Sequence, residues 1–310
     1  MNEMLKWLLD GDVSIQYMTH KRLLGSDETT LERIQQKAAA EGFCARLLSC
    51  QNENGHWGLY YYQPKWTSTH YTLLDFKNLC APQTLKPCRD MVIRMFDDCM
   101  NHDGGMNLSK HEHPSDICVD GMVLNYAAYF CAEEPRVIKL AGHLLSAQKK
   151  DGGFTWDIHS EIGDPHTTIC VLEGLGQCGV SVPGHRLFGM EDAKAKAFAF
   201  LLRNGMFMDD ADTRFRKLSY PYRYRYDLLR GLECFADQQV PYDPRMQPAI
   251  AWLHAKRMKD GLWHLENQHK GNVHFAMETV GKPSRFVTVK ALYVCDYFEP
   301  STRAANQSIV

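Results

Sequence analysis

The sequence predicts an all-α chain of about five to six helical hairpins closed into an α/α toroid. Three observations carry this. A glycine turn recurs five times: QNENGHW (Gln51 to Trp57), HDGGM (His102 to Met106), QKKDGGF (Gln148 to Phe154), RNGMF (Arg203 to Phe207) and KDGLW (Lys259 to Trp263). With Gly55, Gly104, Gly152, Gly205 and Gly261 as markers, the steps are 49, 48, 53 and 56 residues. Between the turns, apolar residues recur at the three-to-four spacing of helices, without convincing strand alternation. Finally, one helical stretch precedes each glycine and a second follows. With an N-terminal stretch that makes about eleven helices, a number that suits a closed ring with inner helices around a cavity.

In chain order, WLLDGDVSIQYMTHKRLL (7–24) supplies the N-terminal helical stretch, and KWTSTHYTLL (65–74) opens the inner helix after the first turn. SDICVDGMVL follows the second turn. In the third repeat Val137, Leu140, Leu144 and Leu145 share one face before the glycine, and Ile169, Leu172 and Leu175 share one after it. YPYRYRY (220–226) occupies the inner-helix start of the fourth repeat, and Lys282, Ser284 and Arg285 that of the last. Each glycine stops a helix by taking a left-handed conformation without a Cβ clash, leaving the Gln and the aromatic to tie one repeat to the next. Residues 1–299 are expected to form a single toroid domain. Residues 300–310, without apolar periodicity, read as a flexible tail.

Composition narrows the function. The chain has 310 residues, 45% hydrophobic and 11% aromatic, which excludes global disorder. A net charge of −2 argues against nucleic acid as a partner. No apolar run reaches the ~18 residues of a transmembrane segment, and the start lacks a signal-peptide pattern. Eleven cysteines, mostly scattered at apolar helical positions, read as reduced thiols of a cytoplasmic protein. Phosphate-binding loops and nucleophile elbows are absent from the sequence.

QNENGHW fits QxxxGxW, the QW repeat of squalene and oxidosqualene cyclases, and QKKDGGF fits it with Phe for Trp. The same repeat with an xDGGF turn occurs in the β subunits of protein prenyltransferases. Over roughly residues 45 to 298 the chain therefore resembles the terpenoid cyclase and protein prenyltransferase superfamily. A single toroid of this length is more similar to the prenyltransferase β subunit than to a squalene-type cyclase, which has two such domains. The resemblance implies an isoprenoid or other apolar small molecule as ligand, and a helical partner subunit.

It also implies a metal centre. Protein prenyltransferase β subunits carry zinc on a D-x-C arrangement in one repeat and a His in the next. Asp116-Ile117-Cys118 matches D-x-C, and Asp164-Pro165-His166-Thr167 resembles the His segment, with Asp164 one residue closer to the His. Cys118 and His166 each lie 15 residues after their turn aspartates, Asp103 and Asp151. Asp116, Cys118 and His166 would leave a fourth zinc position open for an acceptor thiolate. The plainer reading makes Asp116 and Asp164 helix N-caps and Cys118 a packing residue.

Two alternatives stay open. A metal-free terpene cyclase would need a proton donor; the chain has no D-x-D-D, and Asp120 in DICVD is the lone candidate acid. A non-catalytic toroid would bind a lipid, peptide or protein. His111, Glu112 and His113 form a polar cluster that reads as an exposed loop. For substrate binding, Trp66, His70, Tyr71, Tyr126, Tyr222 and Tyr224 are expected to wall an apolar cavity. Arg223 and Arg225 offer guanidinium forks to a diphosphate, with Arg285 adding charge at the mouth.

Overall fold

In the computed structural model, residues 3–182 and 187–299 are described; the expected C-terminal tail lies outside them. The helices are α1 (Glu3–Leu9), α2 (Val13–Thr19), α3 (Glu28–Lys37), α4 (Gly42–Leu48), α5 (Thr69–Asn78), α6 (Lys86–Cys99), α7 (Ile117–Phe130), α8 (Pro135–Ser146), α9 (Pro165–Ser181), α10 (Met190–Arg203), α11 (Leu228–Asp237), α12 (Gln247–Ala255) and α13 (Arg285–Phe298). A π-helical turn, His20–Leu24, prolongs α2. Among the described residues β pairing is limited to isolated bridges.

The ring is visible in which helices touch. The chain α5–α7–α9–α11–α13–α2 packs neighbour to neighbour, and α4 joins α2 to α5. Helices α6, α8, α10 and α12 lie outside, against these. Burial follows the same division. Every residue of α5 from Thr69 to Phe76 and of α11 from Leu228 to Ala236 is buried. Outer α8 buries only Val137, Leu140, Ala141 and Leu144, the stripe of a half-immersed helix. There are more helices than the sequence suggested because the N-terminal stretch divides into α1 and α2 and the outer member of the first hairpin into α3 and α4. The Asp12 carboxylate accepts from the Phe43 backbone N–H at 2.8 Å, where Gly42 takes a left-handed φ of 69° and starts α4 afresh.

The recurring turns are built alike. At Gly152, φ is 85° and a Cβ would meet the Lys196 carbonyl at 2.6 Å, so only glycine fits. Gln148 donates to the carbonyls of Gly152 and of Ala193 on α10, both at 2.8 Å, tying its turn to the next outer helix. Trp57 and Trp263 reach back to the carbonyls of Leu47 and Leu253. The backbone N–H after the glycine is then accepted by a side chain early in the following inner helix. Thr69 accepts from Trp57, Thr168 from Phe154, Thr288 from Trp263, and Asp120 from Met106 at 2.9 Å.

The barrel is not the apolar tunnel expected from sequence. Ion pairs cross its interior: Arg230–Glu173 at 2.7 Å, Lys290–Glu233 at 2.6 Å, Arg22 with Glu233, and Arg223 with Asp75. Each links different parts of the ring, so the inner helices are held by paired charge as well as by apolar packing.

Candidate functional site

The six inner helices start at one end of the ring, each under a side-chain cap: Asp12, Ser68, Asp116, Asp164, Asp227 and Ser284. Two long connections, 204–227 and 256–284, enter this mouth. The first carries the YPYRYRY segment inward, where Arg230 donates to the carbonyls of Arg223 and Arg225 at 2.6 and 2.7 Å. The second folds over Trp66, whose indole donates to the Lys270 carbonyl at 2.7 Å.

Between these segments lies a chamber of about 120 Å³, walled by Leu47, Trp66, Arg223, His269, Phe275 and Met277, among others. Its aromatic side is continuous: the Trp66 ring lies 4.9 Å from Tyr71, 4.7 Å from His269 and 6.3 Å from Tyr224, the last pair stacked. Lys65 sits 4.7 Å over the Tyr224 ring, and Arg225 donates to the Tyr224 hydroxyl at 3.2 Å. Neither cation has a carboxylate partner among the described residues. His269 is held neutral, its pKa pushed down to about 3 by burial and by the surrounding Arg223, Arg225, Arg230 and Lys65. A second, narrower pocket, with room for about one water molecule, shares Arg223 and His269 and extends to His166 and Arg225.

The expected wall residues divide. Trp66, Tyr71 and Tyr224 meet at the mouth. His70 and Tyr126 bond to each other at 3.1 Å, and Tyr126 also reaches Met95 on α6, away from the chamber. Burial lowers the His70 pKa to about 3, and its Nε2 is buried without a partner. Tyr222 lies deep, 4.5 Å from Lys290 and 5.3 Å from Arg230 across its ring. Two of the three expected phosphate-binding arginines are otherwise engaged. Arg223 is neutralised by Asp75, both nearly inaccessible. Arg285 donates to the Trp7 carbonyl at 3.0 Å and covers the Trp7 ring, facing α1.

The expected zinc ligands do not fit a metal. Among the described residues no group of three or more His, Cys, Asp and Glu is arranged to hold one. One Asp116 oxygen accepts the backbone N–H groups of Cys118 and Val119 at 2.9 and 3.2 Å. The Cys118 sulfur turns to Cys170, 3.9 Å away. His166 Nδ1 accepts from the Tyr226 backbone at 2.9 Å, so the neutral ring carries its proton on Nε2 and has no lone pair left to give. Asp164 caps α9 through Thr167, its oxygens accepting both N–H and hydroxyl at 2.8 Å. The common register of Cys118 and His166 thus reflects the repeated inner-helix start, and the plainer capping reading describes both aspartates.

Asp120 is likewise no acid of the cavity. It occupies the turn-anchor position filled by threonine in three other repeats, with His143 of outer helix α8 at 3.4 Å. Burial lifts its pKa to about 6, against the opposing pull of His143 and the Met106 N–H. Sequence reasoning missed Lys65, His269 and Phe275. Of these, His269 and Phe275 lie in ENQHKGNVHFAM, whose only signal was two histidines and an aromatic in a stretch without periodicity.

No protein-family model matches the chain, and no curated protein matches it. Among solved structures, a protein from Actinoplanes is 16% identical with a TM-score of 0.45, over 97% of this chain and 91% of that one. The type II terpene cyclase MstE from Scytonema is 12% identical with a TM-score of 0.32, over 84% of this chain and 96% of that one. A variant of that cyclase, in complex with geranylgeranyl dihydroxybenzoate, gives 14% and 0.32, over 86% and 96%. The toroid assignment rests on the helix packing above, and the class defined here is an α/α toroid with an aromatic, cationic mouth.

Proposed function

We propose that this chain handles a short isoprenoid with an anionic head at the mouth of its toroid, and that it does so without a metal on Asp116, Cys118 and His166. One observation carries the reading: an aromatic chamber lies beside two cations, Lys65 and Arg225, that lack carboxylate partners among the described residues. The apolar wall of Leu47, Trp66, Phe275 and Met277 takes the tail. A dry cavity of about 150 Å³ accepts a benzene-sized guest, so this chamber suits a tail of about five carbons. Lys65 and Arg225 hold the head, and the neutral His269 offers it an N–H.

Of the reactions open to such a ligand, ionisation with loss of diphosphate matches these residues. The leaving group meets the two cations, and the ring faces of Trp66, Tyr71 and Tyr224 stabilise the carbocation left behind. Protonation-initiated cyclisation is less well served, because Asp120 of α7 is engaged by the Met106 N–H and lies beside His143. A second reading, a toroid that binds without turnover, is favoured by the ion pairs that fill the barrel.

Calorimetric titration with dimethylallyl diphosphate, farnesyl diphosphate and inorganic diphosphate tests the proposal. The short prenyl ligand is expected to bind at least tenfold tighter than inorganic diphosphate, a difference of about 1.4 kcal/mol. Equal affinity for the two, or no binding by any, defeats it. Binding with no diphosphate released to any added nucleophile selects the second reading.

A further inference from the structure

Helices α7 and α9 approach more closely than side chains normally permit. A Cβ on Gly121 would lie 2.7 Å from the backbone of Cys170 and Val171, and one on Gly174 would lie 2.5 Å from the Gly121 carbonyl. Cys118 stands one turn before Gly121, and Cys170 one turn before Gly174. The crossing therefore brings their sulfurs to 3.9 Å, 52 residues apart in sequence. The Cys170 sulfur is also approached by the Arg230 guanidinium at 3.6 Å. Its own S–H points to the Tyr224 carbonyl, 3.5 Å away in the mouth segment.

From this geometry, and independently of the ligand reading, we propose that Cys118 and Cys170 form a redox site that closes to a disulfide when the protein meets hydrogen peroxide. Closure needs the sulfurs to move from 3.9 Å to about 2.05 Å, across helices whose backbones are already in close contact at Gly121 and Gly174. The Cys170 sulfur loses its proton with Arg230 and the Cys118 S–H as donors beside it, and attacks one peroxide oxygen. The O–O bond breaks, and the departing oxygen takes up the proton and leaves as water, giving a sulfenic acid. The Cys118 sulfur then attacks the sulfenic sulfur. An S–S bond forms, the S–O bond breaks, and the hydroxyl leaves as a second water with the Cys118 proton. Two thiols are oxidised and one peroxide is reduced. The Cys170 S–H bond to the Tyr224 carbonyl is lost, while the Tyr226 N–H still bonds to His166 of α9.

The test uses the full wild-type chain. Peroxide is titrated until the half-exposed Cys50 is oxidised, free thiols are then alkylated without reduction, and linked peptides are mapped by mass spectrometry. A Cys118–Cys170 link that is reversed by dithiothreitol and persists in Cys50→Ser is expected. Cys118→Ser and Cys170→Ser should each abolish it. Oxidised Cys50 with both Cys118 and Cys170 still alkylated, or Cys118 linked to another cysteine, overturns the proposal. The wild-type map decides even if a variant fails to fold.

Discussion

Asp120→Thr tests whether the one acidic turn anchor is structural. Thr168 performs the same task in the next repeat at the same 14-residue spacing, accepting from Phe154 at 2.9 Å. Threonine at 120 therefore keeps an acceptor for the Met106 N–H while removing a buried carboxylate. Burial holds the Asp120 carboxyl at about 6, above its ordinary 3.8. Because the folded value is raised, the wild type carries no penalty below about pH 4 and acquires it as pH rises toward 6. That gap corresponds to about 3 kcal/mol, fully expressed once the pH is well above 6. Thermal unfolding followed by circular dichroism should show Asp120→Thr more stable than wild type at pH 8 by about 6 °C, at roughly 2 °C per kcal/mol. The difference should vanish at pH 4. Asp120→Val, which leaves the Met106 N–H unsatisfied, should lie about 1–3 kcal/mol below the threonine variant at both pH values. A threonine variant less stable than wild type by the same amount at pH 4 and pH 8 would refute the reasoning.

Other outcomes follow from the same contacts. Glu233→Gln leaves Lys290 and Arg22 without their shared carboxylate and should lower stability by about 3–5 kcal/mol in urea unfolding. Burial pushes Glu233 up, but Lys290 and Arg22 pull it further down, to about 2. Its contribution is present above the ordinary 4.5 and is lost as pH falls toward 2, so the variant should also flatten acid unfolding across that window. Gly121→Ala drives a Cβ against the α9 backbone and should cost about 1–3 kcal/mol by thermal unfolding, whereas the far side of α8 offers open space at Gly142 and Gly142→Ala should be neutral or stabilising. Arg225→Ala should weaken dimethylallyl diphosphate about tenfold in calorimetry, about 1.4 kcal/mol, while Arg285→Ala leaves that affinity unchanged.

The ring was legible because it is written in periodic features. The five glycine turns and the helix-spaced apolar residues are local, and each hairpin repeats them. The mouth was only half legible. Trp66, Tyr71 and Tyr224 stood out as aromatics at inner-helix starts, and the structure gathers them. The reading also selected Tyr126, which lies well inside α7 rather than at its start, and Arg285, at the start of α13; they turn away, toward Met95 and Trp7. Helix-face direction, which sequence spacing alone does not separate from position, made the difference. The expected zinc ligands lie apart for a related reason. Equal offsets place Cys118 and His166 at equivalent inner-helix starts, yet each side chain found a nearer partner, Cys170 and the Tyr226 backbone. The ion pairs of the barrel were invisible because Glu173 with Arg230, and Asp75 with Arg223, pair across 57 and 148 residues. His269 sits in an irregular connection that carries no period to read.

The central claim, that the mouth chamber receives a short prenyl tail, is tested most directly by a crystal structure of the protein with dimethylallyl diphosphate. The account places the tail between Trp66 and Phe275 and the diphosphate against Lys65 and Arg225, with Asp75 and Arg223 still paired behind it. Ligand density on the outer surface, or an empty chamber at saturating ligand, would contradict it.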